Sequence, residues 1–232
     1  MGVYPTRIRR ALPGDLLPLA HILSVAFHSD PVSTWLMPDE NDRAERHPQF
    51  FRIFLHTAQA YGRVDIASDD DGLCGAALWL DVDPGRPRTD DPLPLQLALG
   101  NNFTRLESLL AATGAAHPNS VEHAYLVFVG ILPEYQGNGI GTALITDRLA
   151  ALAATGTAAY LEASSARATG LYRRLGFTPH GEPVRLPDGG PDMHPMVLWT
   201  PDPDPSDVTG APGAPRTQQR TPERVPHNGF QR

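Results

Sequence analysis

The chain has 232 residues, 41% of them hydrophobic, which suffices for one domain with a substantial core. Its nineteen basic residues are all arginine, so Schiff-base chemistry through lysine is excluded. The formal net charge of −7 disfavours general nucleic-acid binding and suits a cationic partner. The apolar runs are too short to cross a membrane and no signal-peptide pattern is visible, so we expect a cytoplasmic protein without a membrane partner. A single cysteine, Cys74, excludes an intramolecular disulfide and a cysteine-rich metal site, and we expect no bound metal.

Hydrophobic periodicity and the positions of glycine and proline predict alternating strands and helices. A strand at 8–12 precedes a helix that runs from Asp15, which can cap it, to about Phe27. Two prolines interrupt the pattern at 28–38, and a proline-rich stretch predicts a loop at 81–94. The order of elements predicts an α/β fold with a mixed sheet flanked by helices. The remaining predicted elements are helices at 43–60, 95–113, 140–155 and 167–175, and strands at 62–67, 73–80, 124–132, from Tyr160 onward and near 195–200.

The sequence predicts one domain over residues 1–200. From Pro201 the composition changes to Pro, Asp, Arg, Thr, Gln and Gly, with almost no apolar periodicity. Four acidic residues there balance four arginines, so the net negative charge belongs to the domain. We therefore expect residues 201–232 to form a disordered, proline-rich tail.

A glycine-rich turn directly follows the apolar run 124–132 and precedes a predicted helix. The N–H groups in the first turn of a helix have no internal partner, and the helix dipole adds partial positive charge there. A phosphate can therefore bind at this point with few charged side chains. Glycines let the backbone approach such a ligand closely, and a threonine adds a hydroxyl donor. The candidate anion-binding residues are Gln136, Gly137, Asn138, Gly139, Ile140, Gly141 and Thr142.

Two well-known phosphate-binding loops do not match this turn. A Rossmann fingerprint requires a glycine three residues after the second one, whereas Gly141 follows Gly139 by two. A P-loop requires a lysine, which the chain lacks. An ordinary strand-to-helix turn remains the alternative for the glycine motif on its own.

A second segment, at 160–177, favours a functional site. It is typical of a short strand, a loop and a helix that ends at a glycine. Gln136-x-x-Gly139-x-Gly141 followed by Leu171-Tyr172-x-x-x-Gly176-Phe177 resembles the GCN5-related N-acetyltransferase (GNAT) family, across residues roughly 5–200. The resemblance implies the GNAT fold, with a mixed central sheet and a splayed pair of strands that binds acetyl-CoA.

The resemblance also implies roles for individual residues. The glycine turn would hold the pyrophosphate of acetyl-CoA, and Tyr172 would lie beside the thioester sulfur and protonate the departing thiolate. The backbone of Val129, Gly130 and Ile131 would pair with the pantetheine arm, as a peptide adds to a sheet edge. Ser165 stands where many relatives carry a cofactor-contacting asparagine, and its shorter side chain leaves that one contact open. Packing on the sheet is the structural alternative for Tyr172, and a plain core strand is the alternative for Val129 and Ile131.

The general base is open between two residues. His123 begins the central strand and has a suitable intrinsic pKa, whereas Glu162 lies on the next strand and could act directly or through water. Both have structural alternatives, and an enzyme that binds the neutral fraction of the amine needs no base. Loops on a rigid scaffold tend to carry specificity. The acceptor contacts are therefore assigned to Phe27, Asp30 and Trp35, to the loop after Asp81, and to the terminal strand near Met193 and His194. Hydrophobic core is the alternative for Phe27 and Trp35, and it is favoured for Phe27.

A finer resemblance is to small-molecule acetyltransferases of the antibiotic-resistance type, the branch of puromycin N-acetyltransferase. It implies transfer of an acetyl group from acetyl-CoA to a primary amine of a small molecule, such as an antibiotic or a metabolite, by a monomer or homodimer. Acetylation of a protein or peptide is one alternative, and a non-catalytic CoA-binding module is another. The shared stretches are His123-Ala-Tyr-Leu-Val-Phe-Val-Gly-Ile131, Leu161-Glu-Ala-Ser164 and Met193-His-Pro-Met196.

Overall fold

The computed structural model describes residues 6–86 and 91–199, so the predicted tail at 201–232 lies outside the described residues. Within those residues an eight-stranded sheet carries helices on both faces, which confirms the predicted mixed α/β fold. The strands are β1 (Arg7–Arg10), β2 (Gly62–Ser68), β3 (Leu73–Val82), β4 (His123–Ile131), β5 (Ala158–Ala163), β6 (Thr178–Pro179), β7 (Val184–Arg185) and β8 (Asp192–Leu198).

The sheet is antiparallel except at its centre. Its spatial order is β1-β2-β3-β4-β5-β8-β6, and β7 pairs with β8. Strands β4 and β5 are parallel neighbours, as expected for two strands joined by a crossover helix. The other described pairs are antiparallel.

Helices cover both faces of the sheet and enclose two hydrophobic cores. Helices α1 and α3 pack on β3 and β4 around one core, and α6 and α7 enclose the other. Among the described helices, none is both long and apolar enough to span a membrane. The helices are α1 (Leu16–Ala26), α2 (Pro31–Leu36), α3 (Glu40–Tyr61), α4 (Leu93–Leu99), α5 (Phe103–Ala116), α6 (Ile140–Ala153) and α7 (Ala166–Arg174).

Three predictions about helices were wrong. Residues 28–38 include helix α2, because Pro31 occupies its first position, where a missing N–H costs nothing, and Asp30 caps it. The predicted helix at 95–113 is two helices, since Gly100, with a φ of 55°, ends α4. Asp15 does not cap α1, because its carboxylate accepts the Leu12 N–H at 2.7 Å and pairs with Arg9 at 2.7 Å.

Two predictions about strands also needed correction. The predicted loop at 81–94 is shorter, because β3 continues to Val82 and α4 begins at Leu93, while residues 87–90 lie outside the described part. The short strands β6 and β7 were missed, because two-residue strands carry no readable alternation.

Strands β4 and β5 separate midway along β4. Their pairing ends where Leu126 lies opposite Leu161, whereas β4 continues to Ile131. The register of β4 against β3 shifts at the same place, where Val127 is the extra residue of a bulge. The edge of β4 beyond Leu126 therefore borders a wedge between the two strands, which is the splayed pair that the resemblance predicts.

Candidate active site

The glycine turn forms an open cradle at the start of α6. Gly137 and Gly139 have φ angles of 80° and 81°, in the left-handed region that favours glycine. A Cβ at either position would meet no described atom within 4 Å, so the backbone is open to a ligand. In the described structure no side chain caps the N–H groups of Ile140, Gly141 and Thr142. These donors fit an anion such as a pyrophosphate.

Two side-chain amides hold the cradle in shape. The Gln136 side chain donates to the Ile131 carbonyl at 3.0 Å, which ties the turn to the end of β4. The Asn138 side chain donates to the Tyr135 carbonyl at 3.2 Å, within the turn itself. Both amides therefore orient the backbone of the turn, and the main-chain N–H groups at the start of α6 are the donors left available for an anion.

The free part of β4 lies next to the cradle. Val129, Gly130 and Ile131 pair with β3 on one side, and their other side borders the wedge beside β5. A Cβ on Gly130 would come within 2.8 Å of Leu23 Cδ2 and 3.0 Å of Phe27 Cε2, so close packing of α1 on β4 needs a glycine there. The wedge side of β4 can pair with an extended ligand as a sheet edge pairs with a strand.

Tyr172 is fixed by the way α7 ends. The Phe177 N–H donates to the Tyr172 carbonyl at 3.0 Å and the Gly176 N–H donates to the Arg173 carbonyl at 3.1 Å. With the Gly176 φ of 93°, these bonds form a Schellman motif. The rings of Tyr172 and Phe177 complete it with their centroids 5.9 Å apart. The glycine cap therefore determines where the buried Tyr172 ring sits.

Asp30 connects helix α2 with the loop after β5. Its Oδ1 accepts the N–H groups of Val32 at 2.9 Å and Ser33 at 3.3 Å, and its Oδ2 accepts the Ser164 hydroxyl at 2.9 Å. Burial raises the pKa of Asp30. Burial, and then the charge of Asp30, raises the pKa of Tyr172. The phenol is therefore held protonated, in the form that can donate a proton.

Ser165 has a local structural role. Its hydroxyl oxygen accepts the Ala168 N–H at 3.2 Å and caps α7. The hydroxyl proton is not committed to this bond, since a hydroxyl both donates and accepts.

Glu162 lies on β5 where the two strands separate. Its side chain is 3% exposed, and Oε1 has no hydrogen-bond partner among the described residues. Burial, and then the charge of Glu162, raises the pKa of both Tyr125 and Tyr160, so the two phenols stay neutral beside it. A buried acceptor without a partner is costly, which makes this oxygen a place for a proton or a ligand donor.

His123 is linked to Glu162 through a histidine that sequence reasoning missed. The His123 Nδ1 lies 2.8 Å from the Val121 carbonyl, and its Nε2 lies 3.0 Å from His117 Nε2. The His117 Nδ1 is 3.8 Å from Glu162 Oε1. Burial lowers the pKa of His123, which keeps its ring neutral. His117 follows α5 directly, and no sequence spacing connects it with β5.

Of the predicted acceptor residues, Phe27 packs in the core, whereas Trp35 also links α2 to other elements. Phe27 packs in the core, with ring centroids 5.4 Å from Phe51 and 5.5 Å from Phe128. Trp35 lies in the last turn of α2, and its indole donates to the Pro187 carbonyl, in the turn between β7 and β8, at 2.9 Å. Arg105 of α5 donates to the Trp35 carbonyl and lies over its ring. Helix α2 is therefore tied to α5 and to the β7–β8 turn.

The remaining predictions concern the terminal strand, the loop after Asp81 and a bound metal. Met193 of β8 is buried in the core that contains Trp35, and His194 pairs with Ala163. The loop after Asp81 is described only in part. Across residues 6–86 and 91–199, no three His, Cys, Asp or Glu side chains are arranged to hold a metal ion.

The sequence and fold match known proteins. The family model described as "Acetyltransferase (GNAT) family" matches residues 25–177. A Corynebacterium glutamicum structure described as histone acetyltransferase HPA2 and related acetyltransferase is 26% identical with a TM-score of 0.64, covering 85% of this chain and 98% of that chain. Drosophila melanogaster polyamine N-acetyltransferase is 16% identical with a TM-score of 0.59, covering 84% and 99%. Arylalkylamine N-acetyltransferase 2 from Aedes aegypti is 15% identical with a TM-score of 0.64, covering 84% and 99%.

The family model covers well over half of the chain and includes both the glycine cradle and Tyr172. The chain belongs to the acetyltransferase (GNAT) family and is an acetyl-CoA-dependent acyltransferase.

Proposed function

We propose that the protein transfers the acetyl group of acetyl-CoA to a primary amine of a small molecule, such as an antibiotic or a metabolite. The donor residues in this proposal are Gln136 to Thr142 around the pyrophosphate, Val129 to Ile131 along the pantetheine arm, and Ser165 nearby. The open cradle and the unpaired edge of β4 support this assignment. The resemblance to the antibiotic-resistance branch rests on the sequence stretches alone and stays part of the proposal.

A small acceptor is favoured over a polypeptide by one observation, the hydrogen bond from the Trp35 indole to the Pro187 carbonyl. It joins α2 to the β7–β8 turn, while Asp30 joins the other end of α2 to Ser164. A peptide acceptor needs an open groove, whereas these two bonds hold α2 to the β7–β8 turn and to the loop after β5. The similarity of the fold to those of a polyamine and an arylalkylamine N-acetyltransferase agrees with a small amine.

We assign the chemistry to two groups, Glu162 on β5 and Tyr172 on α7. Acetyl-CoA, when bound, supplies an acetyl thioester whose carbonyl carbon accepts the amine and whose thiolate departs. Glu162 is proposed to take the proton of the acceptor ammonium. His123 lies behind it, with the His117 ring between the two. Tyr172, kept protonated by burial and by Asp30, is proposed to give its proton to the thiolate.

The acceptor is proposed to be held on the α1, α2 and α5 side of the sheet. Trp35 and Asp30 shape this region through the contacts described above. Phe27 contributes by packing against β4. We further propose that residues 1–200 form the catalytic domain, that residues 201–232 are dispensable for it, and that the protein acts in the cytoplasm.

An amine panel tests the proposal. The full-length chain is incubated with acetyl-CoA and separately with diamines, arylalkylamines, aminonucleosides, and peptides bearing a free N-terminus or a lysine. Thiol release and product mass are both measured. We expect acetylation of at least one small amine and kcat/KM for peptides at least about tenfold lower. Preferred acetylation of peptides would overturn the small-acceptor proposal, and thiol release without any acetylated amine would overturn N-acetyl transfer.

A further inference from the structure

The glycine turn of the donor site contains an asparagine that is followed directly by a glycine. The sequence has two such pairs, Asn138-Gly139 in the turn and Asn228-Gly229 in the tail, of which the second lies outside the described residues. In an Asn-Gly pair the main-chain nitrogen of the glycine can attack the carbonyl carbon of the asparagine side chain, because no Cβ shields that nitrogen. The pair in the turn can therefore react within the protein itself.

Both reacting groups are accessible in the structure. Asn138 and Gly139 are exposed, and the Gly139 N–H donates to no other described residue. Among the described residues the Asn138 amide is held only through its nitrogen, which donates to the Tyr135 carbonyl at 3.2 Å and to the Gln136 carbonyl at 3.5 Å. Water can replace both bonds because they lie at the surface, so the side chain can turn toward Gly139.

The start of α6 favours the negative charge that this attack requires. The glycine nitrogen becomes nucleophilic when it loses its proton, and the asparagine carbonyl oxygen gains negative charge as the new bond forms. Gly139 is the N-cap residue of α6, and in the described structure no side chain caps the N–H groups of the first turn. These N–H groups and the helix dipole stabilise negative charge at this point. The feature that fits a pyrophosphate therefore also promotes the attack.

We propose that Asn138 is a site of spontaneous deamidation and that a cofactor bound in the cradle protects it. The inference rests on the proposed function in taking that cofactor to be acetyl-CoA. The Gly139 nitrogen bonds to the Asn138 side-chain carbonyl carbon, the bond from that carbon to Nδ2 breaks, and the amide nitrogen leaves as ammonia with the proton from Gly139. Water then opens the cyclic imide at either of its carbonyls, which leaves aspartate or isoaspartate at position 138.

Either product damages the cradle. It places a carboxylate beside the N–H groups that should receive a pyrophosphate, and like charges repel each other. A carboxylate also cannot donate, so the bonds from position 138 to the Tyr135 and Gln136 carbonyls are lost. Isoaspartate in addition inserts a methylene group into the main chain and displaces Gly139. Deamidation therefore weakens the donor site and leaves the acceptor side intact.

Bound acetyl-CoA opposes the same reaction. Its pyrophosphate would take up the N–H groups at the start of α6. It would also place negative charge where the attack has to develop more negative charge, which raises the cost of the attack. The chain is therefore expected to lose its donor site with time when it is free and to retain it when acetyl-CoA is bound.

Peptide mapping of the unaltered full-length chain tests the modification. The protein is incubated at mildly alkaline pH and cut after glutamate, which separates Asn119 from Asn138 because Glu122 and Glu134 lie between them. Deamidation adds about 1 Da to a peptide. We expect conversion at position 138 to be at least about tenfold faster than at Asn119, which is exposed but precedes Ser120, whose Cβ shields the nitrogen. Equal rates at the two positions would overturn the proposal.

CoA is the probe for protection, because it carries the pyrophosphate and has no acetyl group to transfer. Its dissociation constant is first measured by calorimetry. At about ten times that concentration only about a tenth of the chain is free, so conversion at position 138 should slow about tenfold, and conversion at Asn119 should not change. Unchanged conversion at position 138 with CoA bound would overturn protection by the cradle. Fast conversion in a chain that binds no CoA would uphold deamidation and contradict the proposed donor site.

Two variants test the consequence for acetyl-CoA binding, and their melting temperatures show that each is folded. Asn138→Asp supplies the carboxylate directly, so acetyl-CoA affinity should fall about tenfold or more. Asn138→Ser cannot form the imide but retains the Asn228-Gly229 pair. After the same incubation it should keep its own starting affinity, while the wild type loses affinity in step with conversion at position 138. Equal losses in both proteins, or wild-type affinity in folded Asn138→Asp, would show that deamidation at this position does not disable the cradle.

Discussion

The donor side and the acceptor side of the candidate site consist of different chemical groups. Between Gln136 and Thr142 the donor side offers main-chain N–H groups at a helix start, with no ionisable side chain in that stretch. The acceptor side places Glu162 among two tyrosines and a pair of histidines that come from separate elements. A helix start binds any phosphate of suitable shape, so the donor side needs few specific side chains. The acceptor side is proposed to move a proton, a task for which ionisable side chains are suited.

This difference predicts different sensitivities. The donor cradle depends on backbone shape and on the absence of side chains, so added bulk or charge should damage it most. The acceptor side depends on protonation states and on bonds between distant segments, so small polar changes and pH should affect it. The predictions below separate these sensitivities.

The largest effect is expected for Gly139→Asp. The change adds a negative charge where a pyrophosphate should bind and puts a side chain at a φ of 81°. Like-charge juxtaposition costs several kcal/mol, so acetyl-CoA affinity should fall by about 10³-fold or become undetectable. Isothermal titration calorimetry measures this affinity.

The matched control is Gly181→Asp. Gly181 is exposed, has a φ of 76°, and a Cβ added there would meet no atom within 4 Å, so this variant should bind acetyl-CoA normally. Normal binding by folded Gly139→Asp would remove the cradle from the donor site.

The next effect concerns pH and the helices that support the acceptor side. His47 of α3 is fully buried beneath α1, and burial lowers its pKa to about 4. From pH 6.5 down to 4 the unfolded chain takes up a proton that the folded chain excludes, so stability falls as pH falls. The contribution is about 3 kcal/mol over that window. Denaturant unfolding at several pH values measures this effect. Between pH 6.5 and 4, the free energy of unfolding should fall by about 3 kcal/mol less for His47→Leu than for the wild type.

The control for that experiment is His56→Leu, an exposed histidine on the same helix. It should leave the slope of stability against pH unchanged. Equal slopes for wild type and His47→Leu would mean that His47 is protonated in the folded protein. The donor stretch 136–142 has no ionisable side chain, so it contributes no titrating group of the protein to the pH dependence of acetyl-CoA binding.

Tyr172→Phe tests the side chain that is proposed to protonate the thiolate of the donor. The change removes a hydroxyl and keeps the ring that packs on Phe177, so folding and acetyl-CoA affinity should change little. The chemical step should slow by about 10²-fold, mainly in kcat. Acyl donors with more acidic thiols should show a smaller loss, because such leaving groups need less help. Wild-type rates in a folded mutant would assign Tyr172 to packing and leave protonation of the thiolate to water.

The same contrast explains what the sequence could predict. The donor side is encoded by consecutive residues, and helix and strand periodicity placed them on one strand, one turn and one helix. The end of α7 was also predictable, because Gly176 marks a local Schellman motif. Helix α2 was missed because proline was taken as a break, although it can begin a helix.

The acceptor side was only partly predictable. His123 and Glu162 were named because each lies on a predicted strand. His117 was missed, since its contacts with them depend on how the segment after α5 folds back over β4 and β5. The tie between Trp35 and Pro187 likewise joins segments far apart in sequence. Local patterns carry no information on such contacts, and the residue roles on this side stay predictions.

The smallest effect is expected for Trp35→Phe, which tests the closure of the acceptor side. The change keeps an aromatic ring in the core and removes the indole N–H that donates to the Pro187 carbonyl. That carbonyl belongs to an exposed residue and can bind water instead, so the loss should be about 1 kcal/mol, or a melting temperature lower by roughly 2–4 °C. If the bond closes the acceptor side, KM for the small amine should rise severalfold and KM for acetyl-CoA should stay constant. The kcat/KM for bulkier amines should then increase relative to that for the small amine. Trp199→Phe, at an exposed tryptophan, is the control and should change neither quantity. A lower melting temperature with unchanged acceptor preference would mean that the bond supports the fold and takes no part in choosing the amine.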